Sequence, residues 1–194
     1  PRPDERHITY RDVRELSTIV KTEFNIEGNP VAKFINLVME AKPAQVTLVP
    51  DAEDAITSNA GWNTIKNKGF LQEVIQEFKN NGIRTSIFVD PDEKMVEGAA
   101  QTGTDRIELY TEDFAVKFAK GDQSGVEPYT KCAELAHQLG LGINAGHDLS
   151  LDNIKFFNEH VPHLDEVSIG HALIAEALYM GLEATIKKYL ELLK

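Results

Sequence analysis

Short apolar and β-branched runs alternate along this chain with longer stretches whose apolar residues recur at helical spacing. Residues 22–28 (TEFNIEG) and 45–50 (QVTLVP) predict the first two strands. Between them Val31, Phe34, Ile35 and Val38 stand at i, i+3, i+4 and i+7, one apolar face of a helix, with Asn29-Pro30 as its start signal. Leu71, Val74, Ile75 and Phe78 repeat that spacing, and Asn81-Gly82 ends the helix. Four more strands are expected at 84–90, 106–111, 141–146 and 166–170. Helices should follow from Pro91-Asp92, over 128–139, after a Ser150 cap, and from His171 to the end with a break at Gly181. The stretch 51–68 is polar and irregular.

Strands separated by helices imply an α/β fold with a parallel sheet and right-handed crossovers. The strands are near-continuously apolar, as strands covered on both faces should be. No G-x-G-x-x-G follows any of them, which argues against a dinucleotide-binding open sheet. Six strand–helix units therefore predict a (β/α)₈ TIM barrel with six of its eight units present, in one domain over residues 1–194.

Composition narrows the function. The formal net charge of −11 disfavours a nucleic-acid partner, because phosphate backbones need clustered Lys and Arg. No apolar run approaches the roughly 20 residues of a membrane span, and the single cysteine, Cys132, excludes an internal disulfide; together they predict a cytoplasmic protein with no membrane partner. Cys132 falls in the helix 128–139 and reads as a small buried hydrophobe.

In a parallel barrel the chemistry gathers at the C-terminal ends of the strands. Here those ends carry Glu27, Asp51, Glu108, Thr111, His147-Asp148 and Gly170-His171. One mouth would hold two carboxylates and two imidazoles, groups that trade protons near neutral pH. Glu27 reads either as a catalytic carboxylate or as a charge set against a helix dipole. Glu108 alternates with Ile107 and Leu109, so it enters either the lumen or the helix layer. His147 reads equally as a loop residue and as a catalytic one. The Gly170-His171 turn would open a helix N-terminus to an anion such as phosphate. His160 and His163 have metal-like spacing, but lack partners and read as solvated; Trp62 is either a lid anchor or local packing.

The segments PRPDERHI at residues 1–8, Asn25-Ile26-Glu27, Leu48-Val49-Pro50, Asn144-Ala145-Gly146-His147 and Ser168-Ile169-Gly170-His171-Ala172 resemble, in this order, the pyridoxine 5'-phosphate synthase family. The likeness covers essentially the whole chain. It implies a transferase-class synthase for vitamin B6 biosynthesis, acting without metal or organic cofactor and assembling as a homo-octamer. Its reaction joins 1-deoxy-D-xylulose 5-phosphate to 3-amino-2-oxopropyl phosphate and releases inorganic phosphate and water. By the same likeness Glu27 is the general base, His147 the proton donor and Glu108 a charge-stabilising carboxylate. Arg2, His7 and Thr57 would hold the deoxyxylulose phosphate, and Asp148, Gly170 and His171 the aminoketone phosphate. Some family members have glycine where Asp148 stands. The family has a further catalytic histidine immediately before the position of Pro1, and a strand, a helix and most of another strand before that, so the chain is expected to be part of a longer protein. Two other readings stay open: a different sugar-phosphate barrel enzyme, such as an isomerase, epimerase or aldolase, and a non-catalytic phosphate-binding fragment.

Overall fold

The computed structural model describes residues 1–2, 4–51 and 58–194. Six parallel strands, β1 (Asn25–Gly28), β2 (Gln45–Leu48), β3 (Arg84–Val89), β4 (Arg106–Tyr110), β5 (Gly142–Gly146) and β6 (Leu164–Ser168), lie side by side in sequence order. Helices fill the crossovers: α2 (Ala32–Ala41), α3 (Lys68–Asn80), α4 (Glu93–Ala100), the pair α5 (Glu112–Ala119) and α6 (Glu127–Gln138), and α7 (Ile154–His160). Helices α8 (His171–Met180) and α9 (Leu182–Leu192) close the chain, separated at Gly181, whose φ of 81° ends α8. This is the predicted (β/α) barrel architecture. Among the described residues β1 and β6 each pair on one side only.

The side-chain alternation follows from the register. Ile107, Leu109, Ile143 and Ala145 point outward into the helix layer and are wholly buried. Phe114, Tyr129 and Phe157 pack over them as a cluster of tilted and edge-on rings. The inward positions are polar instead. Gln45 and Arg84, on β2 and β3, both hydrogen-bond Glu166 on β6, at 3.0 and 3.2 Å. Strands that far apart in the sheet order meet only if the sheet curls around a lumen. Asn144 donates to the same carboxylate at 2.8 Å and Arg106 pairs with it at 3.4 Å, so Glu166 ties together the base of the lumen.

Several boundaries differ from expectation. An unanticipated helix, α1 (Tyr10–Ile19), precedes β1. Its sequence signal is Thr9-x-x-Asp12, a capping box in which the Thr9 hydroxyl accepts the Asp12 N–H and Asp12 accepts the Thr9 N–H. Asn29 does not cap α2, whose N-cap is Val31; its amide donates to the Asp51 carbonyl at 2.6 Å. Ser150 does not cap α7 either. Asn153 stands at that N-cap and takes the Ser150 N–H on its side chain. Trp62 is local packing: it is buried and donates Nε1–H to the Leu48 carbonyl at 3.0 Å.

Candidate active site

Glu27 is the third residue of β1 and shares a face with Asn25, which reaches Thr47 on β2 at 3.2 Å. That places Glu27 on the lumen side, at the strand's C-terminal end. The next residue, Gly28, has no room for a side chain, because a Cβ there would sit 2.3 Å from the Phe34 ring. The close approach seats α2 against the strand just beyond Glu27.

Glu108 lies in the middle of β4 and points into the lumen, which resolves the two orientations its alternation left open. It is 1 % exposed, and its Oε2 has no hydrogen-bond partner among the described residues. On the neighbouring strand β5, Gly146, two residues beyond the Asn144 that pairs with Glu108, supplies the space that Oε1 occupies.

After Gly146 the chain turns sharply. His147 and Asp148 both have positive φ, 84° and 57°, a costly conformation for side chains other than glycine. The turn is held from outside. The Thr111 hydroxyl donates to the Gly146 carbonyl at 2.8 Å and also contacts that of His147, and Asn153 donates to the Asp148 carbonyl at 3.1 Å. The strain is consistent with a turn shaped to aim the imidazole. His147 Nδ1 meets Asp148 Oδ2 at 2.7 Å, and its ring stands edge-on to Tyr110 at 4.9 Å. A carboxylate at Nδ1 keeps a proton there, which makes Nε2 the nitrogen suited to exchange one.

Gly170 opens α8 with no side-chain cap, so the helix's first N–H groups are left to a ligand or solvent. A Cβ on Gly170 would meet nothing within 4 Å, so packing does not require the glycine, and its bareness leaves the mouth open. The ring of His171, the first residue of α8, lies 5.8 Å from that of His7, edge to face. His7 belongs to the N-terminal segment, which also brings Arg2 to Asp51 at 3.0 Å.

One cleft of about 670 Å³ collects these groups. Glu27, Glu108, His147, Asp148, Gly170, His171, Arg2 and His7 all line it. The candidate residues scattered over 170 positions of sequence thus share one cavity; Thr57 lies outside the described residues. Ser58, Ser168 and Phe88 line it too and were not singled out from sequence. Ser168 alternates with the inward Glu166, so the strand period alone places it in the lumen.

The electrostatics suit proton transfer. Burial, and then the neighbouring Glu27, raise the Glu108 carboxyl well above the usual carboxylate range, while the Ser168 and Thr47 hydroxyls oppose the rise. The Glu27 carboxyl is also raised, first by the surrounding low-dielectric protein and then by the Asp51 charge; the Pro1 amine, His147 and Arg2 pull the other way. Two neighbouring carboxyls, both raised by burial and by a nearby carboxylate, are a common signature of acid–base sites. Elsewhere, His163 stacks on His137 at 3.7 Å and His160 on Phe156 at 3.9 Å, all three imidazoles being exposed. No cluster of three or more His, Cys, Asp or Glu suited to a metal occurs among the described residues.

The curled parallel sheet and its polar mouth define a (β/α)-barrel enzyme with an acid–base site beside an open helix N-terminus. Among solved structures the fold matches phosphoribosylanthranilate isomerase from Thermotoga maritima (TM-score 0.57, 15 % identity, 97 % of this chain and 81 % of that one). It also matches the Amycolatopsis orientalis BexX/CysO complex (TM-score 0.56, 15 % identity, 100 % and 77 %). These likenesses speak to fold alone. The family model for pyridoxal phosphate biosynthesis protein PdxJ matches residues 1–194, and the chain belongs to that family. It is 71 % identical to pyridoxine 5'-phosphate synthase of Christiangramia forsetii, 68 % to that of Flavobacterium johnsoniae and 60 % to that of Cytophaga hutchinsonii. Each match covers 100 % of this chain and 82 % of the relative.

Proposed function

We propose that this cleft builds the pyridine ring of pyridoxine 5'-phosphate, joining 1-deoxy-D-xylulose 5-phosphate to 3-amino-2-oxopropyl phosphate with release of inorganic phosphate and water. The observation that carries the site assignment is the convergence of Glu27, Glu108 and His147 on one cavity whose rim is the uncapped start of α8. Imine formation, loss of phosphate and water, and ring closure are all proton transfers and carbonyl additions. Each positioned acid or base contributes about 10²–10⁴-fold to such steps.

Glu27, raised but accessible from the cleft, takes the proton as general base. His147, braced by Asp148, returns one to the departing oxygen. Glu108, buried and held toward its neutral form, donates a hydrogen bond to the oxygen on which negative charge develops. The family resemblance gives Glu108 the same charge-stabilising role. Arg2 and His7 receive the deoxyxylulose phosphate, with Thr57 as a third contact. Gly170 and His171 receive the aminoketone phosphate through backbone N–H groups, with Asp148 contributing its backbone.

The same reading makes the chain a transferase-class cytoplasmic enzyme that assembles as a homo-octamer. Its buried lone thiol suits a reducing compartment. The exposed Ile174, Leu178 and Tyr179 of α8 supply apolar surface for contact between copies. Among the described residues no helix is long and apolar enough to cross a membrane. The test is incubation of the full chain with both phosphorylated substrates, following pyridoxine 5'-phosphate and phosphate together. Equal molar release of the two supports the reading; release of neither contradicts it.

A further inference from the structure

Asp51, just beyond β2, stands where three parts of the site meet. It is 8 % exposed. Its Oδ2 pairs with Arg2 Nη1 at 3.0 Å and accepts the Ser58 hydroxyl at 2.9 Å, while its backbone carbonyl accepts the Asn29 amide at 2.6 Å. Arg2, Glu27, Asn29 and Ser58 surround a small cavity of about 130 Å³ beside this carboxylate. A buried carboxylate held by Arg2 and Ser58, on a backbone tied down by Asn29, is poorly suited to reach substrate itself. It is well suited to hold what does.

We propose that Asp51 is a positioning residue, which anchors Arg2 for the deoxyxylulose phosphate and presents a fixed negative charge to Glu27. This rests on the ring-forming reading of the cleft. A guanidinium carries its five N–H donors in a rigid fork. Anchoring one nitrogen on Asp51 therefore fixes the plane in which the others meet a phosphate. The same Asp51 charge is the largest charge effect raising the Glu27 carboxyl. The other groups acting on Glu27 are Arg2 and the Pro1 amine from the N-terminal segment and His147 from the β5 turn, and Glu27 in turn acts on Glu108 of β4. Asp51 thus links the binding of one substrate to the proton affinity of the base that acts on it.

Asp51→Asn keeps size and hydrogen bonding but removes the charge. In the full chain it is expected to raise KM for the deoxyxylulose phosphate about tenfold, as one charged anchor is lost. It should also move the acid limb of the kcat/KM profile down by about half to one pH unit, because Glu27 loses a like charge. Asp51→Glu, which restores the charge, should return the acid limb to its original place. A merely structural role would leave that limb unmoved in both variants. If Asp51→Asn fails to fold, Asp51→Ser carries the same two readouts. An unmoved acid limb, or an unchanged KM, in an enzyme that still forms product overturns the inference and leaves the function standing. Absence of product from the unsubstituted chain overturns both.

Discussion

Gly146 leaves room for Glu108: a Cβ placed on Gly146 would lie 2.2 Å from Glu108 Oε1 and 3.0 Å from the Ser168 Cβ. On the neighbouring strands β5 and β4, Glu108 pairs with Asn144 and Gly146 lies two residues further on, opposite Tyr110; the glycine's missing side chain is the pocket that receives the carboxyl. Gly146→Ala should therefore displace Glu108. Overpacking of this kind costs about 1–3 kcal/mol. The expected result is a folded protein with a lowered Tm and kcat reduced about 10–100-fold, the loss of one oriented hydrogen-bond donor. Steady-state kinetics with thermal denaturation check both.

The buried Glu108 also makes stability depend on pH. Its carboxyl is raised in the folded chain, so the fold binds this proton more tightly than the unfolded chain does. The contribution is fully present below the ordinary glutamate value and is lost as pH rises from there through the raised one. Glu108→Gln removes that penalty. At pH 8 the variant should be more stable by about 1 kcal/mol, or about 2–4 °C in Tm. Near pH 4 the two proteins should melt together, and the variant's kcat should be lower. A variant that melts below the unsubstituted protein at pH 8 contradicts the account.

Much of this was legible in the sequence because the chemistry follows the strand period. Glu108 between Ile107 and Leu109, and the polar groups that follow each strand, put the site at one end of a barrel before any coordinates. What sequence did not show has physical causes. Helix α1 is polar over most of its length, and its narrow apolar face, with Tyr10 and Val13 buried, is short enough to pass unnoticed beside the Thr9 and Asp12 cap. Asn29 looked like a cap because Asn-Pro often starts a helix, but its side chain is drawn to the Asp51 carbonyl, a partner 22 residues away. The positive φ of His147 and the hub at Asp51 depend on contacts between segments, which no local pattern encodes.

The base of the lumen is separable from its mouth. Glu166→Ala would leave Arg84 and Arg106 without a shared carboxylate. The group is about a third exposed, so the loss should be modest, about 1–2 kcal/mol or about 3–6 °C in Tm. KM for both substrates should stay within about twofold of the original, because neither guanidinium lines the cleft. Melting curves and KM values together distinguish this from a role in the site.

Cys132 lies wholly buried in α6, and burial pushes its thiol up to about 12. It should resist a thiol-specific disulfide reagent at pH 8 in the native protein and react once denaturant is added. Rapid native labelling would show that α6 opens without global unfolding.

The most direct test of the central claim is kcat for Glu27→Gln in the full chain, measured with both phosphorylated substrates saturating. Glutamine keeps the shape but cannot take the proton. The account predicts that kcat falls about 10²–10⁴-fold while the fold and substrate binding survive. A kcat equal to that of the unsubstituted protein would contradict it, and would remove Glu27 from the chemistry of this cleft.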